Sequence, residues 1–112
     1  MSLEPLDYLR HILAETDYFL NQRTGLSFER FVVDETLRRA FVRSLEIIGK
    51  AAKKVPADFR AQHPTIGWRP HDRDARSADS ADYFGVDYEL VWDLVQNRVS
   101  PLRAQIAMIL DR

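Results

Sequence analysis

Apolar side chains recur every three or four residues through most of the chain, and no segment alternates with period two over a useful length. From Leu6 to Phe19 the positions Leu6, Leu9, Ile12, Leu13 and Phe19 mark a first amphipathic helix, with Pro5 near its start, where the missing N–H donor costs nothing. Thr24-Gly25-Leu26-Ser27 supplies a glycine stop and a serine cap, and a short turn containing Phe28 and Phe31 leads to Asp34. There the spacing predicts a second helix, with Leu37, Phe41, Leu45, Ile48 and Ala52 on one face and Arg38, Arg39, Arg43 and Lys50 elsewhere. Pro56 bounds it, and residues 56–63 form a short helix with proline at its first position, stopped by Pro64. Val86-Asp87 opens a further helix with Leu90, Val91, Leu94 and Val95 on one side, and Ser100-Pro101 caps a continuation through Leu102, Ile106, Ile109 and Leu110. The expected fold is all-α, an antiparallel helical bundle of four to five helices with short connections.

One stretch breaks the pattern. From His71 to Ala81, between Pro70 and Asp82, no apolar side chain is larger than alanine. The total of 112 residues suits one small domain, 1–112, with a single core. An elaborate active site would then lie on the surface or between subunits, which points to an oligomer. The absence of cysteine excludes disulfides and cysteine-ligated zinc, and no apolar run suggests a signal peptide or membrane span, so a cytoplasmic location is expected. A formal net charge of -1 offers no global attraction for nucleic acid, so RNA would need a local patch.

Three ordered blocks carry a resemblance: residues 43–53 (Arg-Ser-Leu-Glu-Ile-Ile-Gly-Lys-Ala-Ala-Lys), residues 63–69 (His-Pro-Thr-Ile-Gly-Trp-Arg), and residues 82–87 (Asp-Tyr-Phe-Gly-Val-Asp) with Val91-Trp92. Together they resemble the HepT-like family of HEPN-fold ribonucleases over about residues 4 to 111. The resemblance implies a helical homodimer that acts as an RNA-cleaving toxin and pairs with a minimal nucleotidyltransferase antitoxin. It implies metal-independent chemistry without a cofactor, in a composite site built from both subunits. The family motif is arginine, a polar residue, three residues, histidine, any residue, tyrosine. Its histidine can exchange a proton with the RNA 2′-hydroxyl or the leaving oxygen, its arginine stabilises phosphate charge, and its tyrosine is the acceptor of adenylylation (AMPylation) by the antitoxin.

Counted back from Tyr83, the motif arginine falls on Arg76 and the polar position on Ser77, but the histidine position is occupied by Ala81. Alanine has no titratable proton, so the acid–base step has no agent there. His71 lies ten residues away, about 15 Å along a helix, and cannot substitute. One permitted codon choice for His71 to Ser80, read one base forward, gives Met-Thr-Ala-Met-Arg-Asp-Arg-Leu-Ile and the first two bases of a histidine codon. That is the missing family motif, and it predicts a frameshift; a natural substitution is the alternative. Replacing the family's Met, Leu and Ile by Asp, Ala and Ser forfeits about 1.5–3 kcal/mol per buried side chain, so segment 70–81 is expected to be a solvated loop or a frayed helix.

Several residues have plainer readings. Without its histidine, Arg76 is one charge in a polar run, and Tyr83 either accepts adenylylation or packs its ring at a helix start. Phe84, Tyr88 and Trp92 suit a core or dimer interface better than an RNA-stacking platform. The acidic run Asp72, Asp74, Asp79 and Asp82 lacks the glycine and glutamate of an EF-hand, with Ser77 and Tyr83 at those positions, and no metal is expected. His11 and His63 read as surface or cap residues. Arg38, Arg39, Arg43, Lys50, Lys53 and Lys54 form either a phosphate-contacting face or an ordinary solvated helix surface. The sequence thus predicts an RNA-cleaving toxin subunit whose present chain has little or no activity. The alternative is a natural, non-enzymatic homologue that binds a nucleotidyltransferase partner.

Overall fold

Local capping chemistry sets the helix ends in the computed structural model, which describes residues 4–66 and 87–111. Helix α1, Pro5–Arg23, begins with Pro5 in its first turn and a reciprocal capping box between Glu4 and Asp7, whose carboxylate accepts from the Glu4 N–H at 3.1 Å. Its buried face is Leu9, Ile12, Thr16 and Phe19. Leu6, expected in that stripe, is 36% exposed, and Thr16 stands in the core instead. The threonine is tolerated because its hydroxyl donates to the Leu13 carbonyl at 2.7 Å, so no polar atom is left unpaired. Gly25 takes the turn after α1 with φ 72°, a left-handed conformation that side chains with a Cβ disfavour.

The expected turn containing Phe28 and Phe31 is in fact a helix, α2, Phe28–Val33. Ser27 caps it by accepting from the Arg30 N–H at 3.2 Å. Six residues cannot sustain a helix on propensity, so α2 depends on burying Phe31 completely. Asp34 then serves two helices. Its N–H donates to the Phe31 carbonyl at 3.2 Å, closing α2, and its carboxylate accepts from the Leu37 N–H at 3.0 Å, opening α3, Glu35–Lys54. Phe41, Ser44, Leu45, Ile48, Ala51 and Ala52 form the buried face of α3. Pro56 caps α4, Ala57–Gln62, from outside and is not its first residue; α4 buries no residue fully.

Helix α5, Tyr88–Asn97, starts at Asp87, whose carboxylate accepts from the Leu90 N–H at 3.0 Å. Val91, Leu94 and Val95 face the core. Arg98 then joins α5 to α6, Val99–Leu110, with near-helical dihedrals of φ -109° and ψ -26°. Ser100-Pro101 therefore lies inside the first turn of α6 and does not cap it. The proline is harmless there because first-turn N–H groups have no intrahelical partner, and the Ser100 hydroxyl is free to accept from Arg23.

These six helices, the elements of the described residues, form the expected all-α bundle. Helix α1 packs most extensively on α3 and α6. It runs antiparallel to α6: Asp17 meets Arg103, and Arg23, further along α1, meets Ser100, earlier on α6. Among the described residues no helix is long and apolar enough to cross a membrane.

Candidate functional site

The motif positions Arg76, Ala81 and Tyr83, together with His71, Phe84 and the expected loop or frayed helix at 70–81, lie outside the described residues. What the fold fixes are the described residues on either side of that segment, Ile66 and Asp87. On the N-terminal side Ile66 is buried and its N–H donates to the His63 carbonyl at 3.2 Å. One residue earlier, the Thr65 carbonyl accepts from the Gln105 side chain of α6 at 2.9 Å. On the C-terminal side the Asp87 cap sets the first turn of α5, and Tyr88 lodges against Phe31 with ring centroids 6.3 Å apart.

Behind Tyr88 stands an aromatic cluster. Phe31 contacts Phe41 at 5.0 Å and Trp92 at 5.4 Å, and Phe28 meets Trp92 edge-on at 6.0 Å. Tyr88 and Trp92 are partly buried against the core, in line with a packing role. The Arg38 guanidinium lies 4.8 Å from the centre of the Tyr88 ring, a cation–π contact that ties α3 to the start of α5.

The basic residues of α3 therefore divide into two groups. In its N-terminal half Arg38 rests on Tyr88, Arg39 pairs with Glu35 at 2.7 Å, and Arg43 pairs with Glu46 at 3.9 Å. In its C-terminal part Lys50, Lys53 and Lys54 are exposed. His11 is exposed with its ring edge-on to Tyr8, and His63 caps α4, its ring 5.0 Å from Phe59. No group of three or more histidine or acidic side chains suited to a metal occurs among the described residues. Tyr18 has its pKa raised above 10.0, by burial first and then by the negative charges of Glu15 and Asp34.

Arg23 had no role in the sequence pattern. It ties the end of α1 to the α5–α6 junction: Nη1 donates to the carbonyls of Val95 and Gln96 at 2.9 and 3.2 Å, and Nη2 donates to the Ser100 hydroxyl at 2.9 Å. Its partners are 72 to 77 residues away in sequence, so no local signal could have indicated it.

An all-α bundle fits the class implied by the three sequence blocks. Residues 7–109 match the family described as ribonuclease HepT-like, and the chain belongs to that family. It is 41% identical over 108 residues to a candidate RNase of Caldanaerobacter subterraneus subsp. tengcongensis, covering 96% of each chain. It is 35% identical over 99 residues to a candidate ribonuclease HepT of Thermococcus cleftensis, covering 88% of this chain and 89% of the relative. A candidate RNase of Methanocaldococcus jannaschii is 35% identical over 92 residues, covering 82% of this chain and 75% of the relative. No solved structure matches the chain.

Proposed function

We propose that the native protein is the RNA-cleaving toxin of a toxin–antitoxin pair, a cytoplasmic homodimer neutralised by a cognate nucleotidyltransferase, and that the chain with Ala81 is a very poor ribonuclease. Family membership across residues 7–109 supports the RNA-cleaving class. One observation carries the second half: Ala81 stands two residues before Tyr83, where the motif requires histidine. In the native form the histidine moves the proton of the RNA 2′-hydroxyl or of the leaving oxygen, and the motif arginine, whose position Arg76 occupies in this chain, holds the phosphate charge. Without the histidine the arginine can still attract phosphate, but no group exchanges the proton. Tyr83 is the proposed adenylylation acceptor, and its modification places a bulky anion in the composite cleft.

The test begins with the DNA from Trp68 to Tyr83 in the source chromosome. An uninterrupted frame reading Met-Arg-Asp-Arg-Leu-Ile-His supports a native ribonuclease of which this chain is the disarmed form. The protein encoded by that frame should cleave RNA in the presence of a chelator, whereas this chain should not. A chromosome that encodes the polar segment as written favours the second reading, a non-enzymatic homologue that binds a nucleotidyltransferase. The presence of Ala81 at the proton-transfer position is the observation that keeps that reading in view.

A further inference from the structure

The two halves of α3 use their cations differently. Arg38 rests on the Tyr88 ring, and the exposed Arg39 and Arg43 each lie beside a carboxylate, Glu35 and Glu46, that offsets their charge. Lys50, Lys53 and Lys54 are exposed, and no described residue pairs with them in an ion pair. Residues three and four apart share a helix face with Cβ atoms about 5–6 Å apart, so the three ammonium groups project from one side of α3. Arg60 follows on α4, and the one carboxylate between residues 50 and 60, Asp58, is turned onto the Phe59 N–H at 3.0 Å. Four cations against one engaged carboxylate is a local excess in a chain whose formal net charge is -1. Placing Lys53 and Lys54 in the last turn also complements the helix dipole, but that role leaves their charged heads in water and available.

We infer that the Lys50, Lys53 and Lys54 face is the surface on which this protein holds the phosphate backbone of RNA, using none of the motif residues. The inference rests on RNA being the family's substrate. Lysines suit the task because flexible point charges follow a phosphate track without reading bases. Their spacing along the helix face is of the same order as the step between successive phosphates of a single strand. A chain with no overall attraction for RNA needs such a patch to gather its substrate. Binding through this face needs neither the motif histidine nor cleavage, so it is measurable on the chain as it stands.

The experiment is fluorescence anisotropy of a labelled single-stranded RNA oligonucleotide titrated with the full chain over a range of salt. K50A/K53A/K54A should bind about 10- to 100-fold more weakly at about 0.1 M salt, and its log–log salt slope should be shallower by about 2. The triple arginine variant should bind as the parent does, and R39A/R43A, whose charges are offset by Glu35 and Glu46, should weaken binding less than the triple alanine variant does. Circular dichroism should show all variants folded, because the substituted side chains are exposed. Unchanged RNA binding by the triple alanine variant overturns the inference and leaves the ribonuclease reading intact. Equal parent affinity for polyglutamate, lost in the same variant, overturns it in favour of an acidic protein partner. Failure of the parent to bind RNA that the Caldanaerobacter relative does bind overturns it for this chain alone.

Discussion

Replacing Phe31 by alanine removes the side chain on which α2 depends. The ring is fully buried and contacts Phe28, Phe41, Tyr88 and Trp92 with centroid separations of 6.5, 5.0, 6.3 and 5.4 Å. Lost transfer energy and the cavity left behind cost about 3–5 kcal/mol for a buried phenylalanine. Aromatic pairs contribute about 0.5–1.5 kcal/mol beyond burial, and four partners surround this ring, so the upper part of the range is expected. Against a total stability of about 5–15 kcal/mol, such a loss is close to the limit that the fold tolerates. Phe31→Leu refills most of the volume and should cost under about 1.5 kcal/mol. The assay is urea unfolding followed by far-ultraviolet circular dichroism at fixed protein concentration, because an oligomer's stability depends on concentration. A loss below about 1 kcal/mol for Phe31→Ala would refute the reasoning: either the pocket collapses freely or α2 does not hold the start of α5.

Two further predictions concern the junction of α5 and α6 and the fold's alkaline limit. Arg23→Ala leaves the carbonyls of Val95 and Gln96 and the Ser100 hydroxyl without their donor, and should cost about 2–3 kcal/mol in the same urea assay; Arg23→Lys, with one donor group in place of a fork, should recover only part of it. For Tyr18 the folded state raises the pKa above 10.0, so the unfolded chain gives up its proton first as pH rises. The stability linked to this group is thus fully present below pH 10.0 and is lost as pH climbs through the folded value. Tyr18→Phe keeps the ring against Phe41 and should flatten the fall of stability with pH above that point; an identical slope in both proteins would refute it.

Signals that act within about four residues were legible from the sequence. Asp34 and Asp87 read as helix starts because a short carboxylate can reach the N–H three residues on, and Gly25 read as a stop because it alone reaches positive φ cheaply. The Ser100-Pro101 reading failed for an instructive reason: its residue types suit a cap and a first turn equally well, and Arg98 continues the chain in near-helical dihedrals. Hydrophobic ranking put Leu6 in the stripe and left Thr16 out, because it counts neither a hydroxyl satisfied by its own helix nor how far the fold covers a position. The candidate site was legible only as what the family resemblance implies, a motif ending at Tyr83 with Ala81 where it has histidine, and these positions lie outside the described residues.

By itself, then, the sequence determined the all-α class, the principal helices with their buried faces, and the family. Each of these is written in periodicity, capping chemistry or residue order. Only the tertiary structure decided that Phe28–Val33 is a helix, since six residues become helical by burying Phe31 among rings from other helices. It alone decided that Arg23 braces residues 72 to 77 positions away, and that Arg38 rests on Tyr88 while Lys50, Lys53 and Lys54 stay exposed. The physical reason is common to all three: an arginine, a lysine or a phenylalanine has the same local propensity whatever it meets, and its partner is set by how distant helices pack.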